Sequence, residues 1–346
     1  MDSLPKYETE MLYIEPWQDK KEAPYYRTDP DPGFEVKNYD WTPYKVQVAD
    51  CRSRKDDFTL DDHAFAFVDD PEGGRPELLQ AIRDIKTETI ERDYYAAVEA
   101  MVKRKTGADK VVIFNHSIRK RDPAEGFFGR PGKQQPGKTV HCDQTPKGAI
   151  RRARQYGGEE AEELLKGRFR IINVWRPING PVEDWPLATM DGKSLEDANL
   201  HATDLWKHQW EELGSTYNIS HGPGQKWYYL GGQRPDEALL IKIYDSKPDV
   251  PAKRLCSLFP GFEVKRVLLI IHSQSARTVR LNIRRRSRTL LVEKVSRFGV
   301  WFSEGISTAS GSQAVDVALF RWGLLAAECG YDSVTDAAIH FGLLGL

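Results

Sequence analysis

In this 346-residue sequence, His141-Cys142-Asp143 is where residue type and spacing could do chemistry. In a strand, residues two apart point to the same face. An imidazole and a carboxylate so placed can grip one cation from one side. A third donor, usually a His from a distant strand, would complete a facial triad. Such a triad leaves three positions open for a bidentate co-substrate and dioxygen, and its donors suit Fe(II). The same tripeptide also fits a plain strand end, so its setting has to carry part of the argument.

That setting is rich in β-prone segments. AFAFVDD after Asp62 reads as a strand, and VVIFNHS (111–117) as another. A glycine-rich loop, GFFGRPGKQQPGK, leads into the metal-like tripeptide. Behind it, KGAIRRARQYGGEEAEELLK reads as a helix that breaks at Gly157–Gly158. RFRIINVWRPI and WPLATMD read as strands, and KWYYLGGQRPDEALLIKIYDS as strand, turn, strand. The longest helix is expected over 76–105, from Pro76 at its first turn to a stop at Gly107. Leu78, Leu79, Ile82, Ile85, Ile90, Tyr94, Val98, Met101 and Val102 recur there at three- and four-residue steps. KRVLLIIHS could be a late strand, and AVDVALFRWGLLAAECG has helical spacing. The whole is mainly β with helices, an antiparallel sandwich flanked by helices on one side.

Composition narrows the function. Fifty Lys and Arg nearly cancel 51 Asp and Glu, so no global charge argues for nucleic acid or an acidic membrane surface. Cys51, Cys142, Cys256 and Cys329 form no CxxC pair, which points to free thiols and neither a zinc knuckle nor a disulfide framework. The N-terminus lacks the apolar core of a signal peptide, and no long apolar run suggests a membrane span. A cytoplasmic protein with a small-molecule substrate is the expectation.

The stretch from Val140 to Leu195, above all NVWRP and GPVEDWPLA, resembles a family of fungal oxidoreductases. These are the gibberellin-desaturase-like and aspergillic-acid hydroxylase/desaturase-like proteins, related to a bacterial cephem-methoxylation component. NHSIRKR and KWYYLGGQRPDEALLIKIYDSK look similar to the same family, so the resemblance covers about residues 30 to 255. It implies a double-stranded β-helix, or jelly-roll, core. It also implies Fe(II), 2-oxoglutarate as co-substrate, and hydroxylation or desaturation of a small molecule in secondary-metabolite biosynthesis. Residues 1–60, rich in Pro, Asp, Lys and Tyr, read as an extended, turn-rich wrap; 61–272 is then the oxygenase-like domain and 273–346 a diverged C-terminal segment.

Carried over by position, the resemblance makes His141 and Asp143 iron ligands. Where the family has its distal His in a Pro-His-Ser/Thr-Ala/Ser-Phe context, this sequence reads RLCSLFPG, with Cys256 at that place. Cys256, His272 and His221 are the candidates for the third ligand. A family Arg that pairs with the co-substrate carboxylate corresponds to Arg266, or less well to Lys265. A planar guanidinium can hold a carboxylate bidentately. Arg176 is a second candidate for that contact, or else a structural tie to Glu183 or Asp184. Trp175, Trp227 and Tyr228 could line a substrate pocket, although aromatics at strand spacing more often build core. The departure at Cys256 keeps an alternative open, a non-catalytic or partner-dependent relative with the fold but not the complete iron site.

Overall fold

The computed structural model describes residues 4–17, 20–120, 129–130, 133–134, 139–183, 185–209, 211–252, 257–258, 313–316 and 343–345. Its strands in chain order begin with β1 (Lys6–Ile14), β2 (Tyr25–Thr28), β3 (Trp41–Asp50), β4 (Phe65–Asp69), β5 (Val111–Ile113) and β6 (Ser117–Lys120). A two-stranded hairpin, β7 (Gly129–Arg130) and β8 (Lys133–Gln134), precedes β9 (Val140–Cys142) and β10 (Arg170–Pro177). Then come β11 (Ala188–Met190), β12 (Leu200–Lys207), β13 (Glu211–Ile219), β14 (Trp227–Tyr229) and β15 (Glu237–Asp245). The last are β16 (Ser257–Leu258), β17 (Gln313–Asp316) and β18 (Leu343–Gly345).

These strands make a two-sheet sandwich. A nine-stranded sheet runs β1-β3-β14-β11-β16-β9-β13-β12-β2, and a seven-stranded sheet runs β4-β15-β10-β17-β6, with β18 joining β10 to β5. Pairing is antiparallel except for β12 with β2 and β14 with β3. The N-terminal 60 residues are therefore not only a turn-rich covering. They supply three strands of the larger sheet, and Met11, Tyr13, Val46 and Val48 are buried there.

β10 is the centre of the design, because every residue in it is buried. Ile171 and Trp175 join the core between the sheets, while Ile172 and Val174 join a second core under the helices. A strand buried on both faces must read as a near-continuous apolar run, and its middle stretch, IINVW (171–175), does so except at one position, Asn173. β15 pairs with β10 on one side and β4 on the other, and Leu239, Leu240 and Ile241 are fully buried. Each such side chain contributes roughly 1.5–3 kcal/mol of burial free energy.

The helix expected over 76–105 is in fact two. After a four-residue turn of helix, α1 (Leu60–His63), come α2 (Pro76–Arg83), α3 (Thr87–Thr89) and α4 (Tyr95–Thr106). Ile85, at φ 55° and 52% exposed, interrupts the run. The N–H groups of Ile85 and Lys86 turn back to the carbonyls of Ile82 and Ala81, which closes α2. The segment Ile90–Tyr94 is then a π-helical turn. The break and the wide turn together keep Ile82, Ile90, Tyr94, Val98, Met101 and Val102 in one core. Gly107 ends α4 in the left-handed region, at φ 67°. The expected strand 111–117 likewise divides into β5 and the start of β6. KRVLLIIHS and the C-terminal helical pattern fall outside the described residues.

Candidate metal centre

β9 places His141 opposite Asn218 of β13 on one side and Ser257 of β16 on the other. Directly opposed residues share a sheet face, with Cβ atoms about 4.5–5.5 Å apart, so Asn218 borders His141. The His141 Nδ1 lies 2.8 Å from the carbonyl of Thr139. A carbonyl only accepts, so Nδ1 carries a proton, and Nε2, hydrogen-bonded to Asp143, is the nitrogen that can exchange its own proton for a metal. That atom stands 3.2 Å from Asp143 Oδ1. The second carboxylate oxygen, Oδ2, accepts a 2.8 Å hydrogen bond from Asn173 Nδ2. This last bond crosses from one sheet to the other.

The chain after Asp143 is held by a helix start. α5 (Pro146–Tyr156) opens with Thr145, whose Oγ1 accepts from the Gly148 N–H at 3.1 Å and lies 2.5 Å from Ser215 Oγ. A Cβ on Gly148 would meet Gln144 Oε1 at 2.6 Å and the Ser215 carbonyl at 3.0 Å. Only glycine lets the helix sit this close to β13. The helix breaks at Gly157–Gly158, the expected place, and a short helix, α6 (Ala161–Leu164), follows.

Burial of His141 disfavours its charged form, but the hydrogen bond and charge of Asp143 and the Thr139 carbonyl outweigh it. Its pKa is raised on balance, against a small opposing contribution from the Arg119 charge on β6. A cation entering between Nε2 and Oδ1 displaces a proton, as metal sites of this kind do.

The donor set fits Fe(II): one imidazole nitrogen and one carboxylate oxygen, both from β9 or the bend behind it. One nearby buried amide atom, Asn173 Oδ1, has no hydrogen-bond partner among the described residues, while the Asn218 amide is engaged by the Tyr39 hydroxyl. An open acceptor beside such a pair is suited to a water carried in by a hydrated ion. Among the described residues, no group of three His, Cys, Asp or Glu side chains could hold a metal ion. Cys256, His272 and Arg266 lie outside the described residues.

Other candidates are placed elsewhere. His221 stacks on Tyr44 at 4.3 Å between ring centres and meets Tyr13 edge-on, and it joins no three-donor group with the pair. Arg176 is a correction to the expected co-substrate contact. Its guanidinium is fully buried against the Asp70 carboxylate, the carbonyls of Asp70 and Pro235, and the Tyr94 hydroxyl. All three nitrogens are committed on the helix side of β10, the face opposite Asn173. The tie is to Asp70, and Asp184 lies outside the described residues. Trp175 shares the inner face with Asn173, two residues away. Trp227 donates to the Tyr13 hydroxyl at 3.0 Å. Tyr228 packs on Phe58, and its other side borders a cleft of about 610 Å³ shared with His63, Asp191, Lys193 and Lys226. Neither His141 nor Asp143 lines that cleft.

The residue that sequence reasoning missed is Asn173. Its signal was available, a lone polar side chain inside the apolar run IINVW, since a buried polar group needs a partner.

A family model described as "Oxidoreductase/YMDC permease-like domain" matches residues 11–259. The "Fe(II)/2-oxoglutarate-dependent dioxygenase nvfI" of Aspergillus novofumigatus (strain IBT 16806) is 43% identical over 247 residues, 71% of this chain and 86% of that protein. The chain belongs to the fungal Fe(II)/2-oxoglutarate-dependent dioxygenases. Within this family, the "Hydroxylase/desaturase CTB9" of Cercospora beticola is 35% identical over 229 residues, 61% of this chain and 68% of that one. A solved structure of "iron and alpha-ketoglutarate-dependent endoperoxidase NvfI with different conformation" matches with a TM-score of 0.71 at 32% identity. It covers 99% of this chain and 98% of that chain. The dioxygenase fold is the jelly-roll core expected from the sequence, and the cofactors that go with it are Fe(II) and 2-oxoglutarate.

Proposed function

We propose that His141 and Asp143 hold the iron of a hydroxylase or desaturase acting on a small molecule of secondary metabolism. The third ligand is assigned to Cys256 or His272. The reading is supported by one observation above all, the Nε2 and Oδ1 atoms turned toward each other at 3.2 Å with their outer partners in place. When bound, the iron supplies dioxygen activation coupled to oxidative decarboxylation of 2-oxoglutarate.

The chain's own residues do the rest. Thr139 holds the Nδ1 proton of His141, so Nε2 is the nitrogen that faces Asp143 and takes the metal. Asn173 holds one oxygen of Asp143 and leaves the other for the metal. Arg266 is the assigned partner for the co-substrate carboxylate, with Arg119, whose charge acts on His141, as the other cation of the region. Trp175, on the same face of β10 as Asn173, keeps that side of the site apolar and dry. No helix among the described residues is long and apolar enough to cross a membrane. The buried free thiols of Cys51 and Cys142 fit a reducing, cytoplasmic compartment, and no nucleic-acid or membrane partner is proposed.

The test is succinate release from 2-oxoglutarate by the full chain loaded anaerobically with Fe(II), with bound iron measured alongside. We expect close to one iron per chain, and loss of at least 100-fold in succinate release in both His141→Ala and Asp143→Ala. Wild-type protein that takes up no iron and releases no succinate would return the chain to the non-catalytic reading.

A further inference from the structure

We infer that Asn173 is a positioning residue for the metal, selecting which oxygen of Asp143 faces the ion. The inference rests on the metal reading of His141 and Asp143. A free carboxylate can meet a cation through either oxygen or both. Here the two oxygens are made inequivalent. Oδ1 stands 3.2 Å from His141 Nε2, and Oδ2 accepts from Asn173 Nδ2 at 2.8 Å. The carboxylate is buried, so water cannot substitute freely for that donor. Asn173 is itself fully buried in the middle of β10, a strand packed on both faces, and cannot swing away.

A structural role alone does not explain its amide. If Asn173 served only to tie the two sheets, both ends of the amide would be expected to find partners, because an unpaired buried acceptor is costly. Its Oδ1 has none among the described residues. An acceptor fixed beside the carboxylate that grips a cation is placed to take a hydrogen bond from water carried in on that cation. The residue thus meets the site twice, donating to the ligand oxygen and accepting from the ion's own hydration. Leu lacks both capacities at similar volume. Asp keeps the shape but sets a second carboxylate against Asp143.

The experiment uses cobalt(II) as the probe, titrated anaerobically into full-length protein and read by its visible d–d absorption. Wild type, Asn173→Leu, Asn173→Asp and His141→Ala are compared, with circular dichroism and thermal unfolding confirming the fold. We expect both Asn173 variants to bind cobalt about 10- to 100-fold more weakly than wild type and to shift its d–d band. A tie between sheets would lower the unfolding temperature and leave affinity and spectrum unmoved. If wild type binds, His141→Ala does not, and the Asn173 variants match wild type, the inference fails while the metal reading stands. If wild type itself binds no cobalt, the metal reading fails and takes the inference with it. Should neither variant fold, the Asn173 side-chain amide of ¹⁵N-labelled wild type decides, since zinc(II) must shift its resonance, and an unmoved signal overturns the proposal.

Discussion

At the residue scale, the buried polar groups divide into those serving the site and those holding the frame. Asp143 and Asn173 belong to the first group. Arg176 and Asp70 belong to the second, an ion pair with both side chains fully buried. Removing one member of such a pair leaves a charge stranded in a medium that cannot solvate it, at a cost of about 3–5 kcal/mol. Asp70→Ala should lose stability of that order in urea unfolding, with cobalt affinity unchanged once folded. A loss below about 1 kcal/mol would mean Arg176 has found another partner. His116 makes a pH-dependent case. Burial drives its pKa down to about 3, and its Nδ1 lies 2.8 Å from the Tyr95 hydroxyl. The folded chain therefore holds it neutral while the unfolded chain protonates it near pH 6.5. Since the unfolded state binds the extra proton, stability is unaffected by this group above about pH 6.5. It falls as the pH drops toward 3, by up to about 1.4 kcal/mol per pH unit. Unfolding free energies measured from pH 7 to pH 5 should show a slope about one proton smaller in His116→Phe. Equal slopes would place the ring in contact with water.

At the element scale, what the sequence shows and what it hides follow from periodicity. β10, β15 and α5 were legible, because two have unbroken β-branched or apolar runs and the third ends on a pair of glycines. The division of 76–105 was not. Apolar residues continue at helical steps straight across the break, and Ile85 fits the pattern while lying on the outside. Nothing in local spacing reveals a π turn that resets the phase by one residue. For the site, the two-residue spacing of His141 and Asp143 was legible, whereas Asn173 was missed although its polarity stands out in its strand. Arg176 misled because a central-strand arginine next to an aromatic suits a ligand contact and a buried tie equally until Asp70 is seen. The break itself can be tested. A β-branched residue in the left-handed region is strained by about 1–2 kcal/mol, and glycine gives back roughly half of that through its greater unfolded freedom. Ile85→Gly, at an exposed position, should raise stability by about 0.5–1 kcal/mol in chemical denaturation. A drop in stability would show that Ile85 has a packing role its exposure conceals.

At the scale of the whole molecule, the site lies where the two sheets are bonded side chain to side chain, with His141 and Asp143 brought by the larger sheet and Asn173 by the smaller. The smaller sheet is the better protected. β10 and β15 are paired on both sides and buried on both faces, with Lys242, Asp245 and Arg168 forming an ion-paired cluster at one end. The larger sheet ends at β1 and β2, whose outer edges have no neighbouring strand among the described residues. Amide exchange from a strand paired and covered on every side requires global unfolding, whereas an edge strand opens locally. Hydrogen–deuterium exchange should therefore find β10 and β15 slowest and β2 among the fastest strands, with β9 between them. The order matters for chemistry. A carboxylate hung from a strand of intermediate stability is aimed by an amide fixed in the most stable one, so its direction outlasts local opening of its own sheet. If β15 exchanged as quickly as β2, the smaller sheet would not be a rigid platform, and the precision assigned to Asn173 would have no structural source.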